Sequence, residues 1–234
     1  MVETKNCLEY INLKSIDINK YKEHIFIIPV GSIEQHCDLP LGLDSIIVSK
    51  IASDLCKVMD NIVILPTIYY GFSPEWANTE GTITLDMETF SGLIKSILNS
   101  IKKFGGNKIV FLNGHGGNSY ILESVLREWV KSNFNTIVLI INYWKVININ
   151  IGHAGHAEYK IANALNINLE ESNCNGKIDL YNGSAKIIIN GPREGSKTQE
   201  KVDINISHDD IIIKIKDEII NAFNFANKKE SFIL

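Results

Sequence analysis

The stretch HIFIIPV (24–30) followed by GSIEQHCDLPLGLD (31–44) decides how the chain reads. The first part is an apolar run rich in β-branched residues, the signature of a buried strand rather than an amphipathic helix. The second begins with Gly31 and Ser32 and soon places Glu34, His36 and Asp44, three strong ligand types, past the strand's end. Asp44 also stands where an apolar helical period begins, and a lone Asp there is far more often a helix N-cap than a ligand.

The same strand signal recurs at NIVILP (61–66), KIVFLNG (108–114) and TIVLIIN (136–142). Helical periods lie between these runs. Ile47, Ile51, Leu55 and Val58 make one stripe, and Phe90, Leu93, Ile94, Ile97, Leu98 and Ile101 make a second, ending at Gly105–Gly106. A third helix is predicted from Asn118, read as its N-cap, a fourth from about His156, and a last over 208–228. Strands alternating with helices predict a three-layer α/β/α fold with a mostly parallel central sheet. No linker or repeat divides the chain, so one domain over residues 1–234 is expected. In such sheets ligands gather outside the carboxyl ends of the strands.

The bulk numbers narrow the function classes. With 234 residues, 45% apolar and 21% charged, the chain is sized for one sizeable core. A formal charge of −4 and no basic–aromatic cluster argue against nucleic acid as a partner. No apolar run approaches the ~18 residues of a membrane span, and the N-terminal stretch lacks a signal-peptide core, so a cytoplasmic location is expected. Cys7, Cys37, Cys56 and Cys174 form no CxxC pair and are expected to be free thiols.

Two further clusters follow candidate strands. NGHGGN (113–118) sets His115 among glycines, with no Lys to make it a phosphate loop. IGHAGHAEYK (151–160) contributes His153, His156 and Glu158. Four of the six histidines thus sit at strand ends beside carboxylates, the donor set that suits Zn, Fe or Mn. His24 and His208 read as surface residues.

Taken in order, GSIEQH…LPLGLD, YGFSPEWANTEGTITL (70–85), NGHGGN and GHAGHAE resemble the motifs of the creatininase family of metal-dependent amidohydrolases. The resemblance implies two divalent metal ions per subunit and a homo-oligomer, usually a hexamer, acting on a small-molecule substrate. It implies Glu34, His36, Asp44 and His115 as metal ligands, Asp44 in the bridging position, and Glu158 as a remaining ligand also counted with the catalytic residues. His153 matches the residue that acts on the leaving nitrogen or stabilises the tetrahedral species.

The departures fall near the inferred pocket. The family's E-Q-H-G-P-H-L-P is here E-Q-H-C-D-L-P, one residue shorter, which loses a His and brings in Cys37 and Asp38 as candidate substrate-binding residues. Gly117 stands where creatininase itself has a Glu, and Tyr159-Lys160 where the family has Thr-Ser. Glu75 and Trp76, in the loop after the second strand, are candidates for the substrate site, with Trp76 equally readable as packing. The expected activity is hydrolysis of a non-peptide C–N bond, a cyclic amide or formamide, with creatinine disfavoured. Alternatives are a formamidopyrimidine-type deformylase, for which Arg193 would be a phosphate-binding cation, a mycofactocin-type precursor peptidase, and a non-catalytic metal-binding homologue.

Overall fold

Four parallel strands form the centre: β1 (Ile25–Val30), β2 (Ile62–Ile64), β3 (Lys108–Asn113) and β4 (Ile137–Asn142), in spatial order β2-β1-β3-β4. This computed structural model describes residues 7–171, 176–177, 196–197 and 204–228. Arg193 and Cys174 lie outside the described residues. The helices are α1 (Leu43–Val58), α2 (Met87–Lys103), α3 (Asn118–Val130), the short α4 (Tyr143–Val146), α5 (His156–Ala164) and α6 (His208–Asn227). Two-residue strands β5 (Gly176–Lys177) and β6 (Ser196–Lys197) pair separately.

The period-two alternation of strand side chains sorts the core into two halves. Ile27, Val110, Leu112 and Ile141 pack with α1, α5 and α6 on one face. Phe26, Ile28, Ile109 and Phe111 pack with α2 and α3 on the other. Strands covered on both sides must be apolar at nearly every position, which is why β1 and β3 read as unbroken hydrophobic runs. Pro29 is tolerated inside β1 because its carbonyl takes the Ile68 N–H beyond the end of β2, on the side where no strand remains to need its missing donor.

Three local expectations are corrected. Asn118 does not cap α3; Gly117 holds that position, and the Asn118 side chain ties loops together instead. Asp44 does not cap α1 either, since Gly42 precedes the helix and Asp44 lies in its first turn. The cysteines are not free: Cys7 is joined to Cys56 of α1, and no cysteine among the described residues is a free thiol. A pair 49 residues apart in sequence carries no spacing signal, so only the tertiary fold reveals it. No helix among the described residues is long and apolar enough to cross a membrane.

Candidate metal centre

Two strand ends, two helix starts and the loop before the second of these helices deliver the polar side chains. The chain leaving β1 carries Glu34 and His36, which are both buried. Asp44 arrives on the first turn of α1, which passes close against the residues following β1 and β3. A Cβ on Gly31 would lie 2.5 Å from the Ser45 Cα, and one on Gly114 would lie 2.5 Å from the Asp44 carbonyl oxygen. Only glycine permits that approach. After β3, Asn113 staples the NGHGGN turn by donating to the His115 carbonyl at 2.8 Å and accepting from the His115 N–H at 3.2 Å. Glu158 comes from the first turn of α5 and His153 from the loop before it.

These side chains converge on Asp44. One of its oxygens, Oδ1, lies 3.4 Å from His36 Nε2, and the other, Oδ2, lies 3.2 Å from His115 Nδ1. His36 Nε2 also faces Glu158 Oε1 at 3.9 Å, and His115 Nδ1 faces Glu34 Oε1 at 3.3 Å. The result is two half-sites, Glu34–Asp44–His115 and His36–Asp44–Glu158, that share Asp44. A third grouping joins Glu34 and His36 to His153. Each ligand imidazole is oriented from behind. His36 Nδ1 donates to the Glu34 carbonyl at 3.0 Å, and His115 Nε2 donates to the Phe72 carbonyl at 3.0 Å. Both rings therefore turn their other nitrogen, Nε2 of His36 and Nδ1 of His115, toward the carboxylates, as metal-ligating histidines do.

The electrostatics explain what such a centre requires. Burial alone would lower the His36 pKa, but Asp44, Glu158 and Glu34 outweigh it and raise it to about 10. His115 is likewise raised against burial, chiefly by Glu34 and Asp44. Glu34 is held well below the carboxylate range, because His115 overcomes the cost of burial. Glu158 is raised, by burial and by the nearby Asp44 against the pull of His36. The pocket thus demands positive charge between its carboxylates. Glu34 Oε2, His36 Nε2, Asp44 Oδ2 and Glu158 Oε2 are buried and make no hydrogen bond. Unpaired buried acceptors are costly, and divalent cations with oxygen and imidazole ligands would satisfy all four. The residues present fit the metals.

The centre opens on a cavity of about 640 Å³. Glu34, Asp44, His115, Glu158 and His153 line it, as do Glu75 and Trp76 from the turn Pro74–Trp76. Trp76 is both wall and packing: it is buried and stacks on His153 at 4.1 Å between ring centroids. Cys37 and Asp38 are not among the cavity-lining residues; Asp38 is exposed, and Cys37 adopts φ +64° where the family pattern has Gly. Lys160 points to solvent, and its ammonium lies 5.9 Å over the Tyr159 ring. Sequence reasoning missed Gln35, whose amide meets His153, and Ser73, whose hydroxyl lies 3.1 Å from His115 Nε2. It also missed Tyr143, buried close enough to Glu158 and Asp44 that they add to burial in raising its pKa. The adjacency of Gln35 to two ligands was the one signal available for these.

Fold and site together define a class: a parallel α/β chain with candidate divalent-metal groups at the carboxyl ends of its strands. A family model described as creatininase, creatinine amidohydrolase, matches residues 12–169, and the chain belongs to that family. It is 25% identical over 134 residues to the creatinine amidohydrolase of Pseudomonas putida, covering 53% of this chain and 51% of that protein. A mycofactocin precursor peptide peptidase of Mycolicibacterium smegmatis is 34% identical over 43% of this chain and 42% of its own length. A 3-dehydro-scyllo-inosose hydrolase of Thermotoga maritima is 30% identical over 50% and 38%. The chain thus spans about half or less of the curated relatives it matches. The fold is shared more widely. A manganese creatininase structure superposes with a TM-score of 0.70 at 17% identity, covering 94% of this chain and 99% of that one. A putative creatinine amidohydrolase from Bacteroides fragilis gives 0.71 at 15%, covering 97% and 99%.

Proposed function

We propose that this chain is a metal-dependent amidohydrolase that opens a non-peptide C–N bond, in a cyclic amide or formamide, with activated water. One observation carries the reading: four buried acceptor atoms without hydrogen bonds converge from two half-sites that share Asp44. Glu34, Asp44 and His115 would hold one cation, and His36, Asp44 and Glu158 the other. Divalent cations so held supply a water acidified toward neutrality and a polarised carbonyl. The protein's own residues do the rest. Asp44 fixes the separation of the half-sites by presenting one oxygen to each. The carbonyls of Glu34 and Phe72 keep the two ligand imidazoles in the tautomer that leaves a lone pair for metal. Trp76 closes one side of the cavity and immobilises His153 by stacking.

A second reading, a peptidase acting on a short chain end, is favoured by the space available. The cavity shares Gly116, Tyr120 and Trp144 with a groove of about 680 Å³ that runs along β4, more room than a small cyclic amide fills. The higher identity to the mycofactocin precursor peptide peptidase agrees with that reading. Metal analysis of the purified protein, with turnover of cyclic amides, formamides and short peptides after loading with Zn, Mn or Fe, tests both. The expected result is about two divalent ions per chain and hydrolysis confined to one of these substrate groups. Absence of bound metal together with absence of turnover sinks the enzyme reading.

A further inference from the structure

Gln35 lies between two residues of the centre, Glu34 and His36. Its Oε1 accepts the Cys37 backbone N–H at 3.0 Å. A backbone N–H can only donate, so the amide has one permissible orientation and its nitrogen faces His153. The distance from Gln35 Nε2 to His153 Nε2 is 2.9 Å. An amide nitrogen donates and does not accept. His153 Nε2 must therefore be the acceptor, which places the proton of the neutral ring on Nδ1. That atom lies 3.4 Å from Glu34 Oε1, on the side of the ring toward the centre. The ring is held between Trp76, stacked at an interplanar angle of 18°, and His36, with centroids 4.9 Å away.

We infer that Gln35 is a positioning residue: it fixes His153 in the Nδ1–H tautomer and so aims a neutral hydrogen-bond donor at the reacting centre. The Cys37 turn, with φ +64°, belongs to the same device, because its N–H holds the Gln35 oxygen in place. Of the two roles open to His153, this tautomer suits one. A neutral imidazole that gave up its Nδ1 proton would become an anion, so the ring is fitted to hydrogen-bond a developing oxyanion rather than to deliver a proton to departing nitrogen. The effect on turnover rests on the hydrolase reading above; the tautomer does not.

Nitrogen-15 NMR of histidine-labelled full-length protein, metal-free and zinc-loaded, reads the tautomer directly, with the His153 ring assigned by its loss in His153→Asn. The expected spectrum shows a protonated Nδ1 and a bare Nε2. In Gln35→Glu, which keeps the size but replaces the donor with an acceptor, Nε2 becomes protonated. With a turned-over substrate, that variant loses about tenfold or more in kcat, with KM within about twofold. A His153 ring protonated at Nε2 in the unaltered protein, or one whose Nε2 stays bare in Gln35→Glu, overturns the inference. Failure of the hydrolase reading shows separately, as missing metal or turnover with the tautomer intact.

Discussion

Asp44 and Asp54 sit on the same helix, α1, and each is only 3% exposed, yet their surroundings are opposite. Asp54 has every oxygen served. Lys57 donates to Oδ1 at 2.7 Å, while Lys50 and His208 both donate to Oδ2. His208 reaches it from the first turn of α6, so the carboxylate clasps two helices together. Asp44 faces two imidazoles and two further carboxylates, and its Oδ2 makes no hydrogen bond. Burial alone does not separate the two. A buried carboxylate with a full set of donors is a structural fastener, and one kept short of donors marks a place for a cation.

Breaking the comparison at its functional end gives the largest effect. Asp44→Asn should lower hydrolysis at least ~100-fold and reduce bound metal, since loss of a shared ligand exceeds the usual cost of losing an outer-shell partner. The urea midpoint of the metal-free variant should fall, because His36 and His115, against the cost of burial, hold the Asp44 pKa below its ordinary 3.8 and lose their shared counter-charge. An Asp44→Asn protein that kept full metal content and turnover would erase the distinction.

At the structural end the effects are smaller and opposite in kind. Burial works against the Asp54 charge, but Lys50, Lys57 and His208 outweigh it and pull its pKa down to about 2. The gap from the ordinary 3.8 corresponds to about 2 kcal/mol, so Asp54→Ala should cost about that much in urea unfolding. Metal content and turnover per folded molecule should not change; a fall in either would tie Asp54 to the site.

Acidity gives the mildest test. Because the Asp54 value is depressed, its contribution is present above pH 3.8 and is lost as pH falls toward 2. His208 is raised above 6.5, first by Asp209 and then by Asp54, so its contribution is whole below 6.5 and fades as pH climbs beyond. Stability measured against pH should show both limbs, and Asp54→Ala should flatten them. Unchanged limbs in the variant would place the titrating groups elsewhere.

The same contrast shows what the sequence disclosed. The sheet and its helices were legible because each segment repeats one period over many residues, and the runs at 24–30, 61–66, 108–114 and 136–142 each contain a strand. Glu34, His36, Asp44, His115 and Glu158 were legible because ligand chemistry demands particular residue types at strand ends, and the structure brings all five together. The supporting contacts were not. Ser73 reaches His115 across 42 positions and His208 reaches Asp54 across 154, with no local pattern to announce either. His208 read as a surface residue for that reason. Asn118 misread as a cap, and Asp44 carried a cap reading beside its ligand reading, because their residue types suit that task. The Cys7–Cys56 link escaped for want of any local signature.

The two glycines beside the centre have a consequence for how substrates could change. Gly31 and Gly114 let the opening turn of α1 press main chain against main chain, so close backbone approach, with the Ser45 hydroxyl donating to the Ser32 and Tyr69 carbonyls, sets the place of Asp44. The interval between the half-sites is then a fixed dimension of the scaffold. Trp76 and Glu75 belong to a separate turn at the cavity wall, which can be rewritten without moving that interval. Reaction geometry is inherited with the frame, and selectivity is tailored on a part that the frame does not constrain.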